Sequence, residues 1–278
     1  MHIFGIICKT NRFISEVLKT SLLISTYNWP EALELVLKSA ENQSVLPDEI
    51  LLADDGSREE TTRLIETFKK GSSIPVVHVW HEDDGFKRSE ILNKTIAKAT
   101  GDYIIQTDGD CILHVDFIKD HSTHARPGQY LYGSRVNIQE GYLPTLFSNK
   151  QIEFNPFSKG IKKRTRALRI PFFSRFYGPG NELSKKLRGC NVSYWKSDFI
   201  SVNGYNEGMT GWGREDSELM VRMMNKGVLG RRLRYSGIVF HIWHKTSSMH
   251  NVAKNDAIQR QAVAEKRTWC ERGIAQYL

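Results

Sequence analysis

Two carboxylates stand one residue apart in Asp108-Gly109-Asp110. Just after a strand, such a pair can hold a divalent cation between the protein and a diphosphate. Hard oxygen ligands suit magnesium or manganese and leave coordination positions for phosphate oxygens. Asp and Gly are also ordinary turn residues, so the same run reads as a bare turn. Asp54-Asp55-Gly56-Ser57 poses a similar choice. One of its carboxylates can accept hydrogen bonds from a nucleobase or ribose, with Tyr27 covering the base, or Asp55 or Ser57 can simply cap the next helix. Gly211-Trp212-Gly213-Arg214-Glu215-Asp216 is more particular. A tryptophan between two glycines is poor material for a core or a helix. Its flat face can carry a sugar ring, and the glycines permit unusual backbone angles. The two acids behind it either open a helix, where the dipole favours them, or supply a general base at a pocket floor. In His241-Ile242-Trp243-His244 two imidazoles have two residues between them, which serves a metal site or two structural histidines.

The elements between these groups must carry them to one place. Residues 21–25 read as a buried strand, and Pro30 suits the first turn of the helix that follows, with Asn28 or Trp29 at its mouth. Ala32, Leu33, Val36 and Leu37 then repeat at helical spacing. Further strands are expected over 49–53, 76–80 and 103–106, separated by a polar helix with Leu64, Ile65 and Phe68 on one face and a short helix over 91–99. Strands alternating with helices predict an α/β fold with a mostly parallel central sheet covered on both faces. Ligands of such sheets sit beyond the carboxyl ends of the strands, where both aspartate clusters fall. Later in the chain, a helix is expected over 215–226 with Gly227 as its stop, strands over 231–235 and 238–241, and a closing helix over 256–276.

The 278 residues carry 39 Lys and Arg against 31 Asp and Glu, a net charge of +8. This surplus favours nucleic acid, an acidic membrane surface or phosphorylated substrates as partners. It is local: residues 158–188 hold ten cations against one acid, Glu182, interleaved with aromatics and without periodicity. Loops and short helices are expected over residues 138–188. No apolar run approaches the roughly 18 residues that span a bilayer. The apolar run over residues 2–8 lacks a preceding basic residue and a following cleavage site, so no signal peptide is expected. Four scattered cysteines without a CxxC pair read as reduced thiols of a cytoplasmic protein.

In this order, ISTYNWPE, ADDGS, TDGD and GCNVSYW…NGYNEGMTGWGREDSEL…FHIWHK resemble the family 2 glycosyltransferases of the Rossmann-like GT-A fold. The second half is similar to the segment shared by β-1,4-galactosyltransferases and chondroitin-polymerase domains. The resemblance implies a UDP-sugar donor, a glycan or glycolipid acceptor and a Mn2+ or Mg2+ cofactor. Asp54 or Asp55 would meet the uracil or ribose, with Thr26 and Tyr27 beside it. Arg88 and Asn93 would also touch the nucleotide, and Asp108 would face the ribose and the metal of a DXD motif. Asp110 would be the direct ligand, with His244 and, in place of a family methionine, His241. Asp216 would be the catalytic base, Glu215 would hold the acceptor, and Trp212 and Asn191 would lie at the sugar. The implied reaction inverts the anomeric carbon in one displacement.

The implied layout is an extension over 1–19 and one domain over 20–278. That domain comprises a nucleotide-binding half (20–137), a basic insertion (138–188), an acceptor and catalytic half (189–248) and a C-terminal helix (250–278). The basic stretch is either a solvated excursion or a surface that meets anionic lipid or a phosphorylated glycolipid. The second choice places a cytoplasmic enzyme at the inner membrane face, building a cell-surface glycan such as a lipopolysaccharide. A sugar-nucleotide pyrophosphorylase would need a glycine-rich phosphate loop where STYNWPE stands. A basic nucleic-acid-binding protein would leave the acids and histidines idle, so no nucleic-acid partner is expected.

Overall fold

A computed structural model describes residues 18–245 and 251–278. Cys8 and most of the expected extension over 1–19 lie outside the described residues. The first part of the chain alternates β1 (Thr20–Thr26), α1 (Pro30–Glu41), β2 (Glu49–Asp54), α2 (Glu59–Gly71), β3 (Val76–Trp80), α3 (Arg88–Ala97) and β4 (Tyr103–Asp108). Then come β5 (Cys111–Leu113), α4 (Phe117–His124), β6 (Gln129–Tyr132), β7 (Ser134–Ile138), α5 (Leu143–Ser148), β8 (Ile161–Lys162), α6 (Pro171–Ser174) and β9 (Pro179–Gly180). The chain closes with β10 (Asn191–Trp195), α7 (Lys196–Ser201), α8 (Glu215–Asn225), β11 (Leu229–Arg232), β12 (Ile238–His241) and α9 (Val252–Ala264).

The large sheet has the order β3-β2-β1-β4-β10-β6-β11-β9, and β5-β12-β7-β8 form a smaller one. Strands β1 to β4 are mutually parallel, as the alternation predicts, while β10 runs antiparallel to both β4 and β6. Period-two alternation decides the layers. Leu23, Leu51 and Ile104 face Ile91 and Leu92 of α3, Phe199 of α7 and Leu219 and Met223 of α8. Leu22, Ile24, Ile50 and Leu52 face Leu33, Val36 and Leu37 of α1, Ile65 of α2 and Phe117 of α4. Both faces are thereby covered, as a parallel sheet requires.

Some expected boundaries move. Helix α3 starts at Arg88, and β11 stops at Arg232. The closing helix ends at Ala264, well before residue 276: Lys266 turns left-handed (φ +50°) and Arg267 N donates to Ala262 O at 3.0 Å, which stops the helix. Residues 138–188 do form only short pieces. Cys111, Cys190 and Cys270 are free and buried. Among the described residues, no helix is long and apolar enough to cross a membrane.

Candidate active site

The first corner of the site is set by a strand pairing. Strand β4 ends at Asp108, and the chain turns at Gly109, whose N–H donates to Ser25 O at 2.7 Å. A Cβ on Gly109 would meet Thr26 Oγ1 at 3.1 Å, so the turn hugs the end of β1. Strand β5 then runs antiparallel to β12 with Cys111 opposite His241, and Ile242 N donates to Asp110 O at 2.8 Å. This register brings His241 Nε2 and His244 Nε2 to 3.5 and 3.3 Å from Asp110 Oδ2. One ligand atom from each of Asp110, His241 and His244 lies within 4.8 Å of the others. His244 Nδ1 is 2.7 Å from Lys245 O, which only accepts, so Nδ1 carries a proton and Nε2 is the ring nitrogen turned to Asp110. Burial holds His241 below the usual histidine range, whereas the hydrogen bond to Asp110 raises His244. The three residues fit a divalent cation. Two imidazoles with one carboxylate suit manganese better than magnesium, which prefers oxygen throughout.

The second corner is a knot of charge. Arg88, on the first turn of α3, donates from Nη2 to Asp108 Oδ1 (2.7 Å) and from Nη1 to Asp216 Oδ1 (3.1 Å). Its Nη1 is also 3.6 Å from Glu215 Oε1. One guanidinium therefore faces three carboxylates from β4 and α8. Asp108 also accepts from Ser25 Oγ at 2.8 Å, and Asp216 from Tyr205 Oη at 3.1 Å. Tyr205 has a single proton. Gln106 Nε2 lies 2.9 Å from its oxygen and can donate to it, while Gln106 Oε1 (3.0 Å) and Asp216 Oδ1 (3.1 Å) are the two acceptors within reach of its proton. Gly189 lies against the same carboxylate: a Cβ there would sit 1.9 Å from Asp216 Oδ2. Glu215 is nearly closed to solvent, and burial first, then the charge of Asp216, push it up to about 7.

Above the two acids runs the loop that carries Trp212. Gly211, Gly213 and Arg214 all have positive φ (+74°, +109° and +76°), the conformation glycine admits most easily. Gly213 N donates to Glu215 Oε2 at 2.9 Å, Gly213 O accepts from Asn255 Nδ2 at 2.9 Å, and Arg214 pairs with Asp256. Helix α9 thus pins the loop over the acids and leaves Trp212 39% exposed.

Other expected site residues lie outside these two corners. Tyr27 is exposed, and its hydroxyl donates to Asp83 Oδ2 at 2.8 Å. Thr26 is buried beneath the Gly109 turn. Asp54 has no accessible surface. Its Oδ1 accepts from Ser57 N (2.8 Å) and its Oδ2 lies 3.0 Å from His78 Nε2, so it shapes its own turn. Asp55 reaches His81 Nε2 (2.8 Å) and Lys87 N (3.1 Å), and is the member of the pair with accessible surface. Neither Asp55 nor Ser57 caps α2, whose first turn begins after Arg58 without a side-chain cap. Asn93 does not reach the cleft. It is fully buried, donating to Tyr205 O (2.8 Å) and Glu207 Oε1 (2.9 Å) and accepting from Tyr205 N (2.9 Å). Asn191 is a second internal clamp, donating to Ser134 O and Gly237 O at 3.1 and 2.9 Å. Ser25, Gln106, Gly189 and Tyr205 were not singled out from the sequence. A tyrosine eleven residues before a candidate base carries no signal until the fold brings the two together.

A parallel sheet with an acidic carboxyl edge, flanked by a carboxylate–imidazole corner, defines an α/β enzyme of glycosyl transfer with the GT-A architecture. The description of glycosyl transferase family 2 matches residues 21–181, more than half of the chain, and the chain belongs to that family. A second description, the N-terminal domain of galactosyltransferase, matches residues 177–245. The chain is 24% identical over 227 residues to a chondroitin synthase of Escherichia coli, covering 74% of this chain and 32% of that protein. It is 25% identical to a validoxylamine A glucosyltransferase of Streptomyces hygroscopicus subsp. limoneus, covering 77% and 49%. The chain thus spans half or less of these relatives. Among solved structures, S. aureus TarS 1-349 in complex with UDP superposes with a TM-score of 0.59 at 14% identity, covering 93% of this chain and 68% of that one, a likeness of fold.

Proposed function

We propose that the chain transfers a sugar from a UDP-sugar to a hydroxyl of a glycan or glycolipid, with inversion at the anomeric carbon. The observation that carries this reading is the convergence of Asp110, His241 and His244 two residues beyond Asp108, which is bound to the same Arg88 as Asp216. Relatives named as chondroitin synthase and hyaluronan synthase support a glycan product. The UDP in the TarS structure supports the donor class.

Asp216 takes the proton of the acceptor hydroxyl while that oxygen attacks the anomeric carbon. The bond to the diphosphate breaks on the opposite face and its electron pair leaves with the phosphate. Arg88 and the Tyr205 hydroxyl hold one oxygen of Asp216, which fixes the direction of the other. Glu215, behind the Trp212 loop, orients the acceptor. Asp110, His244 and His241 would hold manganese, which neutralises a leaving diphosphate. Asp55 and Tyr27 border the nucleotide.

The test is turnover of a panel of UDP-sugars with manganese, then with excess chelator. Asp110→Ala is expected to lose transfer and His244→Ala to be weakened or inactive. Full turnover by Asp110→Ala in excess chelator would sink the metal assignment.

A further inference from the structure

The basic stretch does not lie evenly over the surface; part of it closes around a pocket. Arg135 of β7 and Arg232 of β11 form one side, Lys163 and Arg166 a second, and the turn with Lys185, Lys186 and Arg188 a third. Ser134 and Gly133 also line it, and its cavity volume is about 80 Å3, well below that of a drug-sized site, so it suits a small anionic group and not a whole sugar. Among the described residues, none of these seven cations lies within 4.0 Å of a carboxylate, whereas Arg88 in the cleft touches two at 2.7 and 3.1 Å.

The pocket also holds unmet hydrogen-bonding groups. Ser134 Oγ and Arg232 Nε are buried and have no hydrogen-bond partner among the described residues. Buried polar atoms are ordinarily paired, so two of them on residues lining one cationic pocket point to an acceptor of hydrogen bonds there. Lys163 adopts a left-handed conformation (φ +61°), uncommon for a side chain of this kind, at the same rim. Burial, then repulsion from Arg232, Arg135 and Arg188, holds Arg166 below the usual arginine range, a penalty that an anion would relieve.

The position is as informative as the charge. Arg188 is followed by Gly189, which rests on the carboxylate of Asp216. Arg135 lies on β7 two residues before Asn137, the register partner of His241. The pocket therefore borders the cleft between the proposed base and the proposed metal corner.

We propose that this pocket binds a phosphoryl group carried by the acceptor, holding it so that the acceptor hydroxyl meets Asp216. Ser134 and Arg232 supply directed donors, while Arg135, Arg166 and Arg188 supply planar guanidinium groups suited to phosphate oxygens. The assignment rests on the transfer reading above for the word acceptor, and on the pocket alone for the phosphoryl group.

The test uses the full chain with chelator present, so that Asp110, His241 and His244 hold no cation. Inorganic pyrophosphate is titrated calorimetrically into wild type, Arg135→Gln/Arg232→Gln, and Lys69→Gln/Lys70→Gln as a control of equal charge loss on the exposed side of α2. Wild type and control are expected to bind it alike. The pocket variant is expected to bind at least tenfold more weakly. UDP with manganese is titrated separately and should be bound by all three, which verifies folding. Wild type that binds UDP but ignores pyrophosphate overturns the pocket and leaves transfer standing, as does a folded pocket variant that binds pyrophosphate like wild type. Pyrophosphate binding lost only in the pocket variant, together with no UDP binding by wild type, supports the pocket and overturns the donor site. Two competitors then separate the sources of the phosphoryl group. Displacement by glucose 1-phosphate assigns a phosphorylated sugar, and displacement by phosphatidylcholine vesicles only when they contain phosphatidic acid assigns a lipid headgroup. Displacement by neither overturns the acceptor assignment.

Discussion

At the scale of single residues, the site is a contest for one guanidinium. Asp216 holds the shorter contact with Arg88 and is also bound by Tyr205, whereas Glu215 is further from the cation and more deeply buried. Burial and the neighbouring Asp216 charge push Glu215 up to about 7. Asp216→Asn keeps an acceptor for Arg88 and Tyr205 but removes the base. Turnover should fall on the order of a hundredfold or more, with UDP affinity little changed; a wild-type rate would assign the base elsewhere. Glu215 makes a second expectation. Its folded value, about 7, lies above the ordinary 4.5, so the folded state keeps a proton that the unfolded chain loses as pH rises. Below the lower value the residue has no effect; its destabilisation grows between the two and is complete above the higher. The Tm of Glu215→Gln relative to wild type should therefore rise from about pH 5 to about pH 8 and then level off. A difference that stays flat across that window would show that Glu215 ionises normally.

At the scale of elements, α8 is the beam that carries both acids, and it is tied from beneath. Arg222 and Glu218 form a buried ion pair at 2.7 Å, and Arg222 also donates to Val202 O and to Gly204 O. Next to Gly204, Tyr205 leans on Asn93 and reaches Asp216. Arg222→Ala strands the Glu218 carboxylate and should cost about 3–5 kcal/mol in chemical denaturation. Replacing both partners with Met and Leu should recover most of that loss; no recovery would show that the backbone contacts of Arg222 dominate. These ties mark where sequence reading stops. The early strands are plain because Leu22, Leu23, Ile24, Ile50, Leu51 and Leu52 are all apolar and buried. Strand β10 is not, since Asn191 and Ser193 are buried polar residues bonded to His121 and the backbone, which erases the apolar pattern. The same limit applies in the site. Asp108, Asp110, His241, His244, Glu215 and Asp216 stand out by residue type, and the fold gathers them. Asn93 and Asn191 stand in similar surroundings in sequence but are spent on the backbone, which no spacing reveals.

At the scale of the whole molecule, exposed aromatic rings cluster on and beside α6. Phe172, Phe173 and Phe176 on and beside α6 are exposed, Arg175 Cζ stacks 3.4 Å over Phe172, and Phe173 leans on Tyr235. Aromatic rings ringed by cations suit the boundary of an anionic bilayer, where each basic residue contributes about 1 kcal/mol. The chain is expected to sediment with phosphatidylglycerol-containing liposomes at low salt and to be released as salt rises, since attraction is screened over roughly 8 Å at physiological strength. Phe172→Ser/Phe176→Ser should weaken that binding; equal, negligible binding to neutral and anionic liposomes at low salt would leave a merely solvated surface. The sheet order bears on how such a molecule comes to exist. Strand β10 lies between β4 and β6, although β4 ends at Asp108 and β10 begins at Asn191. While the chain is being synthesised, β4 keeps a bare hydrogen-bonding edge through some eighty residues of translation, including the whole basic stretch. Closing so long a loop is slow, and an open edge invites other strands. The cations made during that wait repel one another and like chains, so the charge that serves phosphate binding in the finished protein also guards the unfinished one against aggregation.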